Sequence, residues 1–354
     1  MPIPRDVIDF VAEHNLAAPS ARRTNSRTAV VVATYAGAAW VGFTLDSLPV
    51  WILAWLVQAF ILNGAAAAMH EAVHGNLYRS KAANRVAGVL WANAVLMNFS
   101  LYRAYHLQHH AHTRSDGDPE PQEEFGAAWQ YVLGMLLLGY LFIGGLWVTS
   151  LRAVLGTSPW YARTQARVRD IRVDGAVLLA FQAGVVIAAV LAPGIVLRLW
   201  LAPALIVLTG IAAVTALPEH YLCARVPDVF QSTRTTLSNP LFRYYFWNTN
   251  YHAGHHLYPG VPFHAAPRLH DRIADRIANI DRSYTSFHVG LLRTLRSASS
   301  APTQAETGII DLRERPAGAP VQQRGASSSS STVESTAADP SGSDALRAPG
   351  WKRT

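Results

Sequence analysis

Charge and sulfur are both scarce in this chain of 354 residues. Charged residues make up 15% of it against 50% hydrophobic ones, a ratio that fits a soluble protein badly and favours a membrane class. The single cysteine, Cys223, excludes an internal disulfide and any Cys-based zinc or iron–sulfur site. Also missing are a Gly-rich nucleotide fingerprint, a fused haem-binding domain, an internal repeat and the basic, aromatic-interleaved stripe of a nucleic-acid binder. The chemistry has to come from other side chains.

What is present is a set of apolar runs. Stretches at 28 to 45, 49 to 67, 129 to 150, 174 to 192 and 196 to 215 each approach the ~20 residues that a helix needs to cross the hydrocarbon core. The net charge of +7 sits in arginines that flank them, as expected for topology and anionic-lipid contact. Arg5, Arg22, Arg23 and Arg27 precede the first run. Arg79, Lys81, Arg85, Arg103 and Arg114 follow the second, and Arg152, Arg163, Arg167, Arg169 and Arg172 follow the third. The positive-inside rule puts these segments in the cytosol and the links near Asp46 and Pro193 outside. The polar N-terminal segment is too long for a secretory signal, so the first span is expected to be retained.

Three regions follow. Residues 1–27 form a cytosolic segment in which "DVIDFVAEH" reads as a short amphipathic helix on the membrane. Residues 28–295 form one membrane domain. Residues 296–354, centred on "RGASSSSSTVESTAADPSGSD", have too little apolar surface to offset the entropy of ordering and read as a disordered tail.

The fourteen histidines are not spread evenly. "HEAVH" holds His70 and His74, "HLQHHAH" holds His106, His109, His110 and His112, and "HAGHH" holds His252, His255 and His256. His220 stands in "PEHY" at the end of the last apolar run. A spacing of four puts two rings on one helical face, where they can chelate a metal. Three-then-one spacing gives one face with an adjacent ring splayed aside, so two such boxes can address two metals. Eight or nine imidazoles exceed the needs of one zinc ion, which takes four ligands. Imidazole also suits iron, the metal whose redox chemistry would use open positions. Carboxylate-bridged di-iron bundles use paired Glu-x-x-His motifs, and only Glu71 to His74 has that spacing here.

"HEAVH" is also H-E-x-x-H, in which two histidines hold zinc and Glu71 acts as general base. A membrane protease would need one further ligand and would leave most of the boxed histidines without a role. A histidine-rich metal transporter would need ionisable residues inside the spans, and 28 to 67 contains only Asp46, in a loop.

The three boxes, "HEAVHGN", "HLQHHAHT…GDPE" and "NYHAGHHLYPGVPFHAAPRLH", resemble those of the membrane fatty acid desaturase superfamily, over about 60 to 275. The resemblance implies an all-α integral membrane protein with a cytosolic histidine-rich cap, working as an O2-dependent non-haem di-iron oxidoreductase. His70, His74, His106, His109, His110, His252, His255 and His256 are then the expected ligands, with His220 an additional one. His112 is expected to support the ligands from behind, as are Asp118 and Glu120, which would orient imidazoles. His264 and His270 would lie in an irregular, Pro-rich segment covering the site, and Asn248 and Asn250 would bond near the metals or cap a helix.

For all boxes to share one face, an even number of crossings must separate His110 from His252, yet three apolar runs lie between them. The run 129 to 150, interrupted by Gly134, Gly139, Gly144 and Gly145, is expected to be embedded or re-entrant, leaving four spans. The expected reaction is desaturation of a lipid acyl chain, carried on CoA, acyl carrier protein or glycerolipid, with electrons from ferredoxin or a cytochrome. The same site would serve a hydroxylase or ketolase of a lipid, isoprenoid or specialised metabolite. The expected location is a bacterial cytoplasmic membrane, active site toward the cytosol.

Overall fold

The computed structural model describes residues 2–120, 124–162 and 164–300. The expected disordered tail lies outside them, apart from 296–300, which continue a helix. The first elements are α1 (Arg5–Glu13), α2 (Ala21–Leu45), α3 (Leu48–Val73), α4 (Lys81–Ala94) and α5 (Phe99–His112). Then come α6 (Ala128–Val154), α7 (Gln165–Leu191) and α8, a helical run over Pro193–Glu219. Five short or peripheral helices follow: α9 (Val229–Ser232), α10 (Pro240–Tyr245), α11 (His252–Leu257), α12 (Ala266–Ile273) and α13 (Tyr284–Ser300). The sheet content among the described residues is one parallel pair, Thr235–Thr236 with Ile280–Asp281.

Helices α2, α3, α6, α7 and α8 are long and apolar enough to cross a membrane. Their starts are chemically marked. Ser20 caps α2 by accepting from Arg23 N, Pro49 opens α3, Thr164 caps α7 by accepting from Arg167 N, and Pro193 opens α8. The first span begins at Ala21 rather than 28, because that cap lets the polar turn with Arg22, Arg23 and Arg27 join the helix.

Helix α6 is continuous through its glycines, contrary to the expected interruption, because glycine inside an apolar helix costs only about 1 kcal/mol and tertiary packing overrides it. Gly139 has a packing role: a Cβ there would stand 2.4 Å from the carbonyl oxygen of Leu208. Both ends of α6 are tied to neighbouring elements. At one end the Tyr131 hydroxyl bonds His288, 2.8 Å away, whose other ring nitrogen donates to the Val214 carbonyl near the end of α8. At the other, Arg172 donates to the Ala153 and Gly156 carbonyls. The same stretch of α7 receives Asn98, the cap of α5, at the Ile171 carbonyl. By length and composition α6 is one of five candidate spans among the described residues, and these contacts tie its ends to α7 and, through His288, to α8.

Helix α8 is the irregular one. It contains π-turns at Leu197–Leu201 and Val207–Ile211, with Thr209 and Gly210 out of helical geometry and Gly210 at φ 119°. Such kinks free carbonyls that need new donors. Trp55 donates to Arg198 O and the Tyr140 hydroxyl bonds Thr209 Oγ1 at 2.6 Å.

Helix α1 forms where expected, but its apolar face does not lie on lipid. Val7, Val11 and Leu16 are buried against Leu257, Leu269 and Ile273. Asp6 pairs with Arg272 and Arg276, fixing α1 across α12. The amphipathic pattern identified the helix but not its partner, since protein and membrane offer the same apolar surface.

Candidate metal centre

The three boxes occupy three kinds of backbone. His70 ends α3 and His74 is its C-terminal cap residue, so the pair share a face one turn apart. The second box is the last two turns of α5, whose start is fixed by the Asn98 cap. The third is α11, buried at all six positions. Ahead of it Trp247 and Asn248 adopt φ of 51° and 54°, a left-handed pair that only a well-determined surrounding sustains. Asn248 donates to the Phe263 carbonyl, and Asn250 donates to Thr236 and Leu237, so both asparagines secure backbone beside the site.

All nine histidines expected as ligands come together, in two groups. One holds His70, His74, His106, His110 and His255; the other holds His109, His220, His252 and His256, and within each the ligand atoms lie within 4.8 Å of one another. The boxes are divided between the groups by helix geometry. Residues four apart, 106 with 110 and 252 with 256, stay together, while His109 and His255, three from the first member, stand about 60° round the helix from it and about 100° from the third ring, and enter the other group.

The ring nitrogens of each group converge on one another. In the group of four, His109 Nδ1 donates to Asp118 Oδ1 at 2.9 Å and His220 Nδ1 to the Ser232 carbonyl at 3.0 Å. Thr113 gives its own proton to the His109 carbonyl, so His256 Nδ1 is the donor to Thr113 Oγ1 at 3.2 Å. With the Nδ1 positions protonated, the Nε2 atoms of three neutral rings carry lone pairs. Yet His109 Nε2 stands 3.1 Å from that of His220 and 3.3 Å from that of His256, and His220 Nε2 stands 2.9 Å from that of His252. Lone pairs at such distances repel unless a cation lies among them. In the group of five, His110 Nε2 is 2.9 Å from Nε2 of both His106 and His255. Neither His70 nitrogen has a hydrogen-bond partner, nor has Nε2 of His74. A buried unsatisfied polar atom costs about 1–3 kcal/mol, which coordination would recover.

Electrostatics favours the form of imidazole that binds metal. Burial first, then repulsion from neighbouring rings, holds His74, His106, His110, His252, His255 and His256 well below the usual range. The same causes push His220 to about 3. His109 is the exception: burial opposes its charge, but Glu120 and the bond to Asp118 outweigh this and raise it. Nine imidazole donors without a thiolate fit divalent iron, copper, zinc or nickel, and the residues present therefore fit two metal ions.

The other expected residues are sorted by the fold. Asp118 and Glu120 both stand behind His109, the second at 3.6 Å. His112 belongs to neither group. His264 contacts Arg23 at 3.1 Å, and buried His270 packs on Tyr251. The Pro-rich segment does cover the site, since Asn76 of the first box donates to the Pro259 carbonyl and Val261 lies beside His70 and His255. Glu71 is committed elsewhere: its Oε2 accepts the Phe263 N–H at 2.7 Å, which removes the free base that a protease needs. Glu219, 3.5 Å behind His252, went unassigned although it precedes His220 in "PEHY". The Ser232 carbonyl had no side-chain signal at all.

An apolar cavity of about 50 Å³ lies between α3, the turn at 94–97, α6 and α8, lined by Leu62, Ala66, Leu96, Ile143, Val207 and Leu208. Ala66 is one turn before His70 on α3.

Two histidine groups at one end of an apolar helical bundle define a membrane oxidoreductase of the histidine-box kind. The model of the family described as "Fatty acid desaturase" matches residues 46–288, and the chain belongs to that family. No curated protein matches the chain.

Proposed function

We propose that this protein is an O2-dependent di-iron desaturase that introduces a C=C bond into a lipid acyl chain. The observation that carries the reading is the division of nine histidines into two groups of converging ring nitrogens, inside a chain of this family. In the proposed assignment, His70, His74, His106, His110 and His255 hold one iron, and His109, His220, His252 and His256 the other. Iron bound there would supply the chemistry that activates dioxygen and attacks an unactivated C–H bond. Four electrons reduce O2 to two waters: two from the substrate's C–H bonds and two from a separate donor, ferredoxin or a cytochrome.

The chain's own residues do the positioning. Asp118, the Ser232 carbonyl and Thr113 orient His109, His220 and His256, the outer contacts that metal-binding histidines need. The cavity beside Ala66 is the proposed seat of the acyl chain, its lining of Leu62, Leu96, Ile143, Val207 and Leu208 matching an apolar methylene chain. The site is proposed to face the cytosol of a bacterial cytoplasmic membrane. Reporter tags at position 1 and near 116 should then be cytosolic and one near Asp46 external, whereas opposite faces for the first two would break the shared-site arrangement.

Lipid mass spectrometry of cells expressing the protein with a compatible donor tests the reaction. Lipids lacking two hydrogens are expected. An added oxygen with no new double bond would assign hydroxylation to the same site, and one zinc with no iron in the purified protein would overturn the reading.

A further inference from the structure

A row of oxidisable rings leads away from the group of five. Tyr102 stacks on His106 with ring centroids 5.5 Å apart and planes 13° from parallel. Tyr105 follows Tyr102 at 6.4 Å, Tyr161 meets Tyr105 edge-on at 5.9 Å, and Trp160 meets Tyr161 at 5.4 Å. Tyr105 and Tyr161 are buried at 7% and 8% exposure, while Trp160 is 59% exposed. Three phenols and an indole therefore make unbroken contact from a candidate ligand to solvent.

The Tyr105 hydroxyl donates to the Pro119 carbonyl at 3.3 Å, beyond the usual O–H···O range, but packing does not require phenols along the row. A phenol in a protein interior carries a hydroxyl that must be desolvated, and Phe would fill the same space without it. Phe142, which also packs on Tyr105, shows that the region accepts plain apolar rings. What phenol and indole add is the capacity to give up one electron and take it back. Electrons arriving from a donor have no use for that capacity, because a reductant strong enough to reduce a metal centre does not oxidise phenol. The row suits the opposite traffic.

We propose that Tyr102, Tyr105, Tyr161 and Trp160 form a release route through which an oxidising equivalent leaves the metal site when no substrate is present to receive it. The proposal rests on the di-iron reading above. In the net step one electron and the indole N–H proton leave Trp160. The electron moves inward from ring to ring and reduces the oxidised metal site, and the proton goes to solvent. The three phenols end unchanged. A thiol or ascorbate-type reductant outside then donates a hydrogen atom to the indole radical and is itself oxidised by one electron. The route diverts damage from the histidines to a replaceable electron at the surface.

The test uses the full chain, iron-loaded, with its metal content measured. It is reduced with dithionite and reoxidised in air without lipid, and peptide mass spectrometry then maps added oxygen. Trp129, 66% exposed, lies outside the row and reports diffusing oxidants. Trp160 should carry several-fold more oxidation than Trp129 despite its lower exposure. In Tyr105→Phe the oxidation should retreat to Tyr102 and the boxed histidines, with several-fold faster iron loss per cycle. Trp160→Phe, a surface change that leaves the interior packing alone, should produce the same faster loss.

With two irons bound, equal marking of Trp160 and Trp129, or the same map in wild type and Tyr105→Phe, overturns the route and leaves the function standing. Slower reduction of the metal by its donor in Trp160→Phe overturns it in favour of electron entry. A chain that binds no iron overturns both readings.

Discussion

The two histidine groups are built to different plans. In the group of four, three rings are gripped from behind: His109 by Asp118 with Glu120 near, His220 by the Ser232 carbonyl, His256 by Thr113. In the group of five, His70 has no partner on either nitrogen and His74 none on Nε2, so these rings are held by packing against each other and against His106 and His255. The first group is preorganised by hydrogen bonds and the second by shape. The difference teaches where the metal itself must contribute order: the group of five relies on it more.

The comparison can be broken at its root by His109→Ala or His255→Ala. Each should abolish double-bond formation and cost one of the two irons by elemental analysis, whereas His14→Ala, at an exposed ring bonded to its own helix, should leave both intact. Equal losses in all three would mean that the groups are not special.

Asp118→Asn asks whether the grip from behind matters. The amide can no longer fix the protonated Nδ1 of His109 unambiguously, and iron affinity of the group of four should fall about 10–100-fold, read by metal titration, with the group of five little changed. A loss spread equally over both groups would refute the asymmetry. Chelation of the unmodified protein sharpens the same point, because iron held by packed rings should leave first. Iron-release kinetics should be biphasic, and His74→Ala should remove the fast phase.

A framework change on α3 should also discriminate. A Cβ at Gly64 would stand 2.2 Å from the Tyr245 carbonyl oxygen, so Gly64→Ala must displace the helix that carries His70 and His74. A cost of about 1–3 kcal/mol is expected, with iron loss concentrated in the group of five. The smallest effect should come from Asp6→Asn, which loosens α1 on α12 through a partly exposed ion pair. A melting shift too small to resolve, with both irons retained, is the expected result.

Much of this was legible in the sequence, for definable reasons. The helices were visible because apolar composition over some 20 residues is a physical requirement for a span. Eight of the nine histidines were visible because they cluster at spacings of one, three and four, and His220 only through the family resemblance. The glycines offered as the cause of an embedded α6 do not break the helix, which is as long and apolar as the other four candidate spans. Glu71 looked like a general base, yet a carboxylate's role depends on what the fold brings to it, and here that is the N–H of Phe263, far along the chain. Backbone partners such as the Ser232 carbonyl carry no side-chain signature, and helix α1 met protein where membrane was expected.

By itself, then, the sequence determined the class of donor atom, the number of metals those donors could serve and the end of the bundle where they gather, since composition and helical period suffice for all three. Only the tertiary structure decided which histidine joins which group. Within one box the rings three and four apart point in different directions, and their destinations depend on how α3, α5, α11 and the end of α8 cross, which is set by packing between residues distant in the chain.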